Sequence, residues 1–110
     1  MSGPADSRDN TPSVIDNEAA RRIELTVDGH TSFIAYQRMG QRIYLNHTEV
    51  PDALQGKGVG SKLVRGALDL ARQRELEVVP ICPFVAGYLK RHPDELDIVS
   101  DDVRQKMDLG

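Results

Sequence analysis

Residues 55–62 read QGKGVGSK, with Gly56, Gly58 and Gly60 at alternate positions, and Leu63, Val64, Ala67, Leu68 and Ala71 then recur at the spacing of one helix face. A backbone stripped of side chains that runs straight into an amphipathic helix dictates a turn-to-helix unit, and the helix needs an apolar surface to cover. The segment before it supplies one. Ile23, Leu25 and Val27 alternate with Arg22, Glu24 and Thr26, the period of a half-buried strand. Asp28-Gly29 offers a two-residue hairpin turn into TSFIAYQRM, and Gly40-Gln41 a second into RIYLNHTEV. The expectation is a three-stranded antiparallel meander with the helix SKLVRGALDLARQR packed on it.

Downstream, EVVPI (residues 77–81) reads as a short fourth strand. Pro80 has no N–H for a ladder, so that strand belongs at an edge or in a splayed position. From Pro83, the spacing of Phe84 with Tyr88 and of Val85 with Leu89 gives a second helix ending near His92-Pro93. The last stretch is acidic, with a short strand expected at Leu96–Val99 and a frayed helix after it. Residues 1–17 carry almost no apolar periodicity and are expected to be a disordered tail, leaving residues 18–110 as one domain.

Composition excludes several classes. A formal net charge of -3 argues against bulk nucleic-acid binding. The longest apolar run, VVPICPFVA, is too short and proline-broken to span a bilayer, and MSGPADSRDN lacks the features of a signal peptide. One cysteine, Cys82, allows no internal disulfide, so a cytoplasmic location is expected. Three scattered histidines and that cysteine have no zinc spacing, and no metal is expected.

A glycine-rich turn at a helix start suits an anion, because free backbone N–H groups and the helix dipole point at whatever sits there. The P-loop pattern fails, since Pro51 stands where its first glycine belongs and Gly58 follows Lys57. The dinucleotide fingerprint fails at Ser61 and on the antiparallel context. QxxGxG is met by Gln55, Gly58 and Gly60. In that form the loop resembles the pyrophosphate-binding loop of the GNAT N-acetyltransferase superfamily. HTEVPDALQGKGVGSKLV followed by VVPICPFVAGYLKRHPDE resembles, more narrowly, the small single-domain GNAT-like family, over roughly residues 22–99.

The resemblance implies an α/β fold (α+β by some conventions): a minimal GNAT-like domain with an antiparallel meander, a central helix, a splayed fourth strand and a second helix. It also implies an acetyl-CoA-dependent N-acetyltransferase with coenzyme A held by Val50, Gln55, Gly56, Lys57, Gly58, Val59, Gly60, Ser61, Cys82 and Tyr88. Full-length members usually have extra N-terminal helices that shape the acceptor pocket, and a polar tail stands there in this chain.

Acetyl transfer to an amine needs a proton acceptor and stabilisation of an oxyanion. His47 and Glu49, expected to share a face of the third strand with Ile43 and Leu45, are candidate catalytic groups, as is Cys82 at the end of the fourth strand. Cys82 precedes Pro83, a favoured first helical residue, so its thiol is expected at a helix N-terminus. Two routes are open: direct attack by the amine with His47 or Glu49 taking its proton, or acetyl transfer through Cys82 with His47 as its basic partner. Tyr88 is a candidate general acid for the departing thiolate. Set against these roles are packing for Cys82 and Tyr88, a hydrogen-bonded core position for His47 and a solvated strand end for Glu49. The expected partner is a small-molecule or protein amine acceptor, with no nucleic acid and no membrane, and the chain a monomer or weak homodimer. The alternative function is a non-catalytic coenzyme A-binding or anion-binding module acting on a partner through the acidic C-terminal segment SDDVRQKMD.

Overall fold

The computed structural model describes residues 14–109. Strands β1 (Ile15–Asn17), β2 (Arg22–Val27), β3 (His30–Met39) and β4 (Arg42–Glu49) precede a 3-10 turn at Asp52–Leu54 and helix α1 (Val59–Gln73). Strand β5 (Glu77–Pro80), helix α2 (Pro83–Arg91), a 3-10 segment at Pro93–Ile98 and helix α3 (Asp101–Met107) complete the chain. The sheet is five-stranded in the order β1-β2-β3-β4-β5. Neighbours from β1 to β4 are antiparallel, and β5 lies parallel to β4. Parallel neighbours need a long crossover, and α1 supplies it.

The core forms where the two periodicities meet. Ile23, Leu25, Ile34, Tyr36, Ile43 and Leu45 from the sheet are buried against Leu63, Val64, Ala67, Leu68 and Ala71, the helix stripe evident in the sequence. Both hairpin turns use left-handed residues, Asp28 and Gly29 in the first and Gly40 in the second.

Three expectations are corrected. The fold starts before residue 18: β1 pairs with β2, and the carboxylate of Asp16 takes hydrogen bonds from the Tyr36 hydroxyl and the Arg74 guanidinium. A short strand anchored by one polar side chain leaves no apolar period to read. Residues 1–13 of the expected tail lie outside the described residues.

Leu96–Val99 is not a strand. Pro93 fixes the backbone at the start of the segment, and the bonds Glu95 N–H to His92 O (2.9 Å) and Val99 N–H to Leu96 O (3.0 Å) close tight turns. Leu96, Ile98 and Val99 are nonetheless buried.

The third correction re-aims the site. Leu45 pairs with Tyr36 and His47 with Ala35, so Asn46 is an extra residue in β4 and forms a bulge. One inserted residue moves every later side chain to the opposite face. His47 and Glu49 therefore do not share a face with Ile43 and Leu45, and Thr48, paired with Ile34, stands on the helix-covered side.

Candidate functional site

The loop between β4 and α1 is built for close approach. Gly56 (φ +82°) and Gly58 (φ +73°) take left-handed conformations, with open space where a side chain would project. Gly60 is a glycine for a different reason: a Cβ there would lie 2.6 Å from Cζ of Phe84, whose ring rests on the first turn of α1. Gln55 steadies the loop by donating from Nε2 to the Val50 carbonyl at 3.3 Å.

Gly58 caps α1 without a side chain, and the first intrahelical bond of the loop end is Lys62 N–H to Gly58 O. Among the described residues the amides of Gly56, Gly58, Val59, Gly60 and Ser61 have no acceptor. No acidic residue occupies the first turn of α1. The result is a cluster of donors at the positive end of a 15-residue helix. Lys57 adds a cation, 3.9 Å from Asp28 on the β2–β3 turn.

These donors open into a cleft of about 460 Å³ lined by Thr48, Val50, Leu54, Gln55, Gly56, Gly58, Val59, Gly60, Ser61 and Phe84. The cleft reaches beyond the end of β5. Pairing of β4 with β5 stops at Leu45–Pro80, and one more bond follows, from Cys82 N–H to the Leu45 carbonyl at 2.8 Å. Past that bond β4 continues to Glu49 paired with β3 on one side and without a strand on the side of β5.

Cys82 caps α2 ahead of Pro83, as the sequence implies, but its partner is not histidine. Its thiol donates to the Thr48 hydroxyl at 3.2 Å, and the residue is buried. His47 lies on the opposite face of the sheet, where Nε2 is 3.0 Å from Glu49 Oε2 and the ring meets Phe33 edge-on at 6.4 Å. Arg22 covers the Phe33 ring at 4.0 Å. The bulge thus separates the expected Cys82–His47 pair and leaves an exposed His47–Glu49 pair instead.

Tyr88 is 1% exposed and does not line the cleft. Its hydroxyl donates to Glu95 at 3.0 Å and its ring stacks on His92 at 4.2 Å. Burial holds its phenol above the usual value, with Glu95 reinforcing and Arg65 opposing that shift. Glu95 in turn receives Arg72 at 2.9 Å, which ties α1, α2 and the 3-10 segment together. Thr48 and Phe84 are cleft residues that the sequence did not single out. An aromatic four residues before Tyr88 reads as part of a buried stripe, yet Phe84 is 41% exposed.

Among the described residues no group of three His, Cys, Asp or Glu side chains is arranged to hold a metal, and no helix is long and apolar enough to cross a membrane.

A family model described as GCN5-related N-acetyl-transferase matches residues 22–98. The chain is 31% identical to Protein NATD1 of Gallus gallus over 74% of its own length and 78% of that protein's. It is 38% identical to Protein NATD1 of Mus musculus, over 54% of this chain and 56% of the mouse protein. Among solved structures, the NMR structure of a GCN5-like protein from Staphylococcus aureus superposes with a TM-score of 0.63 at 24% identity, covering 83% of this chain and 90% of the other, which is a likeness of fold. The family match runs through strands β2 to β5, the glycine loop, helix α1 and the Cys82 turn just described, and the chain belongs to the GCN5-related N-acetyltransferase family.

Proposed function

We propose that this chain transfers an acetyl group from acetyl-coenzyme A to an amine by direct attack. The observation that carries this is the set of five acceptor-free amides, Gly56, Gly58, Val59, Gly60 and Ser61, lining one cleft that continues along the edge of β4 left open past β5.

The fit of the donor set to a coenzyme is chemical. A diphosphate needs several N–H donors, positive potential and no intervening side chains, and the loop offers all three, with Lys57 beside it. Backbone groups of β4 beyond Leu45 that face away from β3 are open to an extended chain carrying amides, as another strand would be. Val50, Leu54, Val59 and Phe84 give the cleft apolar walls. Acetyl-coenzyme A, when bound, supplies the activated acyl group.

In this reading the acceptor approaches from the exposed sheet face, through the gap beside β4 where pairing with β5 has ended. His47, held on that face by Glu49, takes the proton that the attacking amine must lose, while Glu49 stabilises the resulting cation. Cys82, buried and outside the cleft lining, is assigned to packing behind Thr48 rather than to nucleophilic attack: its sulfur is engaged with Thr48, and His47 faces the other way. Tyr88 is assigned to holding α2 on Glu95, so the group assigned to hydrogen-bond a departing sulfur is the Thr48 hydroxyl, the polar cleft side chain on β4 beside Cys82.

Four carboxylates of the C-terminal region are engaged internally, which favours catalysis over partner docking through that segment. Glu95 and Asp97 pair with Arg72, Asp102 with Arg42, and Asp101 with Arg104. The test is thiol release from acetyl-coenzyme A across a panel of small amines and lysine peptides, with calorimetric titration of coenzyme A. Acceptor-dependent release is expected. Saturable binding with no release across the panel would overturn catalysis, and absence of binding would overturn the assignment of the cleft.

A further inference from the structure

The lysine of the glycine loop already has a partner. Lys57 Nζ is 3.9 Å from Asp28 Oδ2, both side chains are largely exposed, and Asp28 belongs to the β2–β3 turn rather than to the cleft. The turn is held in place by its own backbone: Asp28 (φ +52°) and Gly29 (φ +80°) are both left-handed, and Val27 pairs with His30 directly behind them. A carboxylate carried on a fixed turn therefore faces the end of the flexible four-carbon side chain of Lys57, which springs from the glycine loop.

We infer that Asp28 sets the affinity of the glycine loop for phosphate by holding Lys57 in the empty state and giving it up on binding. The inference rests on the assignment of the cleft as a diphosphate cradle. At 3.9 Å the pair is a Coulombic contact between solvated groups and too loose to orient the lysine, so Asp28 competes for the charge rather than positioning it. A diphosphate on the loop offers Lys57 a doubly charged partner, which attracts the ammonium more strongly than one exposed carboxylate does. Its transfer frees the Asp28 carboxylate, whose residual negative charge opposes the ligand. Both effects lower affinity relative to a chain without the carboxylate, and the first operates only through Lys57.

The substitution Asp28→Asn isolates the charge, because asparagine tolerates the left-handed conformation as well as aspartate does. Calorimetry with inorganic pyrophosphate and with coenzyme A at low salt is compared for the native chain, Asp28→Asn, Lys57→Gln and the double variant. Asp28→Asn is expected to tighten both probes about 2- to 5-fold, the scale of an exposed ion pair, with the gain shrinking in high salt. In the Lys57→Gln background the same substitution is expected to give less than half of that gain. No tightening, or an equal gain with and without Lys57, overturns the inference while leaving the cradle intact. Failure of the native chain to bind either probe overturns the cradle and the inference together.

Discussion

The thiol of Cys82 donates to the hydroxyl of Thr48 across 3.2 Å, at the point where β4 runs on and β5 has ended. The contact backs the cleft residue Thr48, next to the stretch of β4 without a strand partner on the side of β5. A thiol in this position packs and donates, and among the described residues its one side-chain hydrogen-bond partner is a hydroxyl rather than a base. Cys82→Ser keeps a donor of similar shape, so acetyl transfer is expected to stay within about threefold of the native rate, well short of the loss seen when a nucleophile is removed. Intact mass after brief exposure to acetyl-coenzyme A is expected to show no acetylated native chain. An acetyl adduct on Cys82 together with an inactive Cys82→Ser protein would replace direct attack with the covalent route.

On the other face, the prediction for His47 is the reverse. His47→Asn leaves the cleft untouched, because the ring contacts Glu49 and Phe33 and no cleft residue. Coenzyme A affinity is expected to be unchanged while kcat falls about 100-fold, the usual worth of a positioned proton acceptor. Glu49→Gln is expected to lose less, since the imidazole survives without its orienting charge. Calorimetry alongside steady-state kinetics separates the two effects, and equal losses in affinity and rate would remove His47 from the acceptor side.

The difference between these two residues marks where the sequence stops being informative. Strands β2 to β4, the buried stripe of α1 and the Pro83 helix start are all written in periodicity or turn chemistry, and the structure follows them. The bulge is not. Asn46 is an ordinary strand-compatible polar residue, with no glycine or proline to announce an insertion, yet it reverses the faces of His47, Thr48 and Glu49. Asp16 escapes for a similar reason, since a single buried carboxylate has no period. The glycines were legible as a group but not singly: two answer to backbone conformation and the third to an aromatic ring 24 positions further along.

Gly60 gives a steric test of that third role. Alanine at this position gains helix propensity worth about 0.5–1 kcal/mol but meets the tip of the Phe84 ring. Phe84 is partly exposed and free to swing, so the clash is relieved by motion rather than by unfolding. Gly60→Ala is therefore expected to change stability by no more than about 1 kcal/mol in chemical denaturation, because the propensity gain offsets part of the crowding cost. The displaced ring intrudes on the cleft, and coenzyme A binding is expected to weaken by about tenfold, equivalent to about 1.4 kcal/mol. Adding Phe84→Leu to Gly60→Ala is expected to recover much of the loss. If the double variant binds no better than the single one, crowding by Phe84 is not the cause.

Tyr36 couples the N-terminal strand to alkaline stability. Its side chain is buried, and burial followed by the hydrogen bond to Asp16 pushes its phenol from the usual value to about 12. In the unfolded chain the same group ionises near pH ~10. Between these values the unfolded state has released a proton that the folded state retains, so unfolding is favoured as pH rises. The contribution is complete below pH ~10 and is lost as pH climbs through about 12, a change on the order of 2 kcal/mol. Urea midpoints measured from pH 9 to 11 are expected to fall for the native chain and to fall less for Tyr36→Phe, with the difference between the two curves isolating this group from Tyr88. Asp16→Asn removes the carboxylate that both Tyr36 and Arg74 address, and is expected to lower stability by about 1–3 kcal/mol at neutral pH while also flattening the alkaline slope. Parallel slopes in all three proteins would show that the β1 anchor and the Tyr36 proton are not linked.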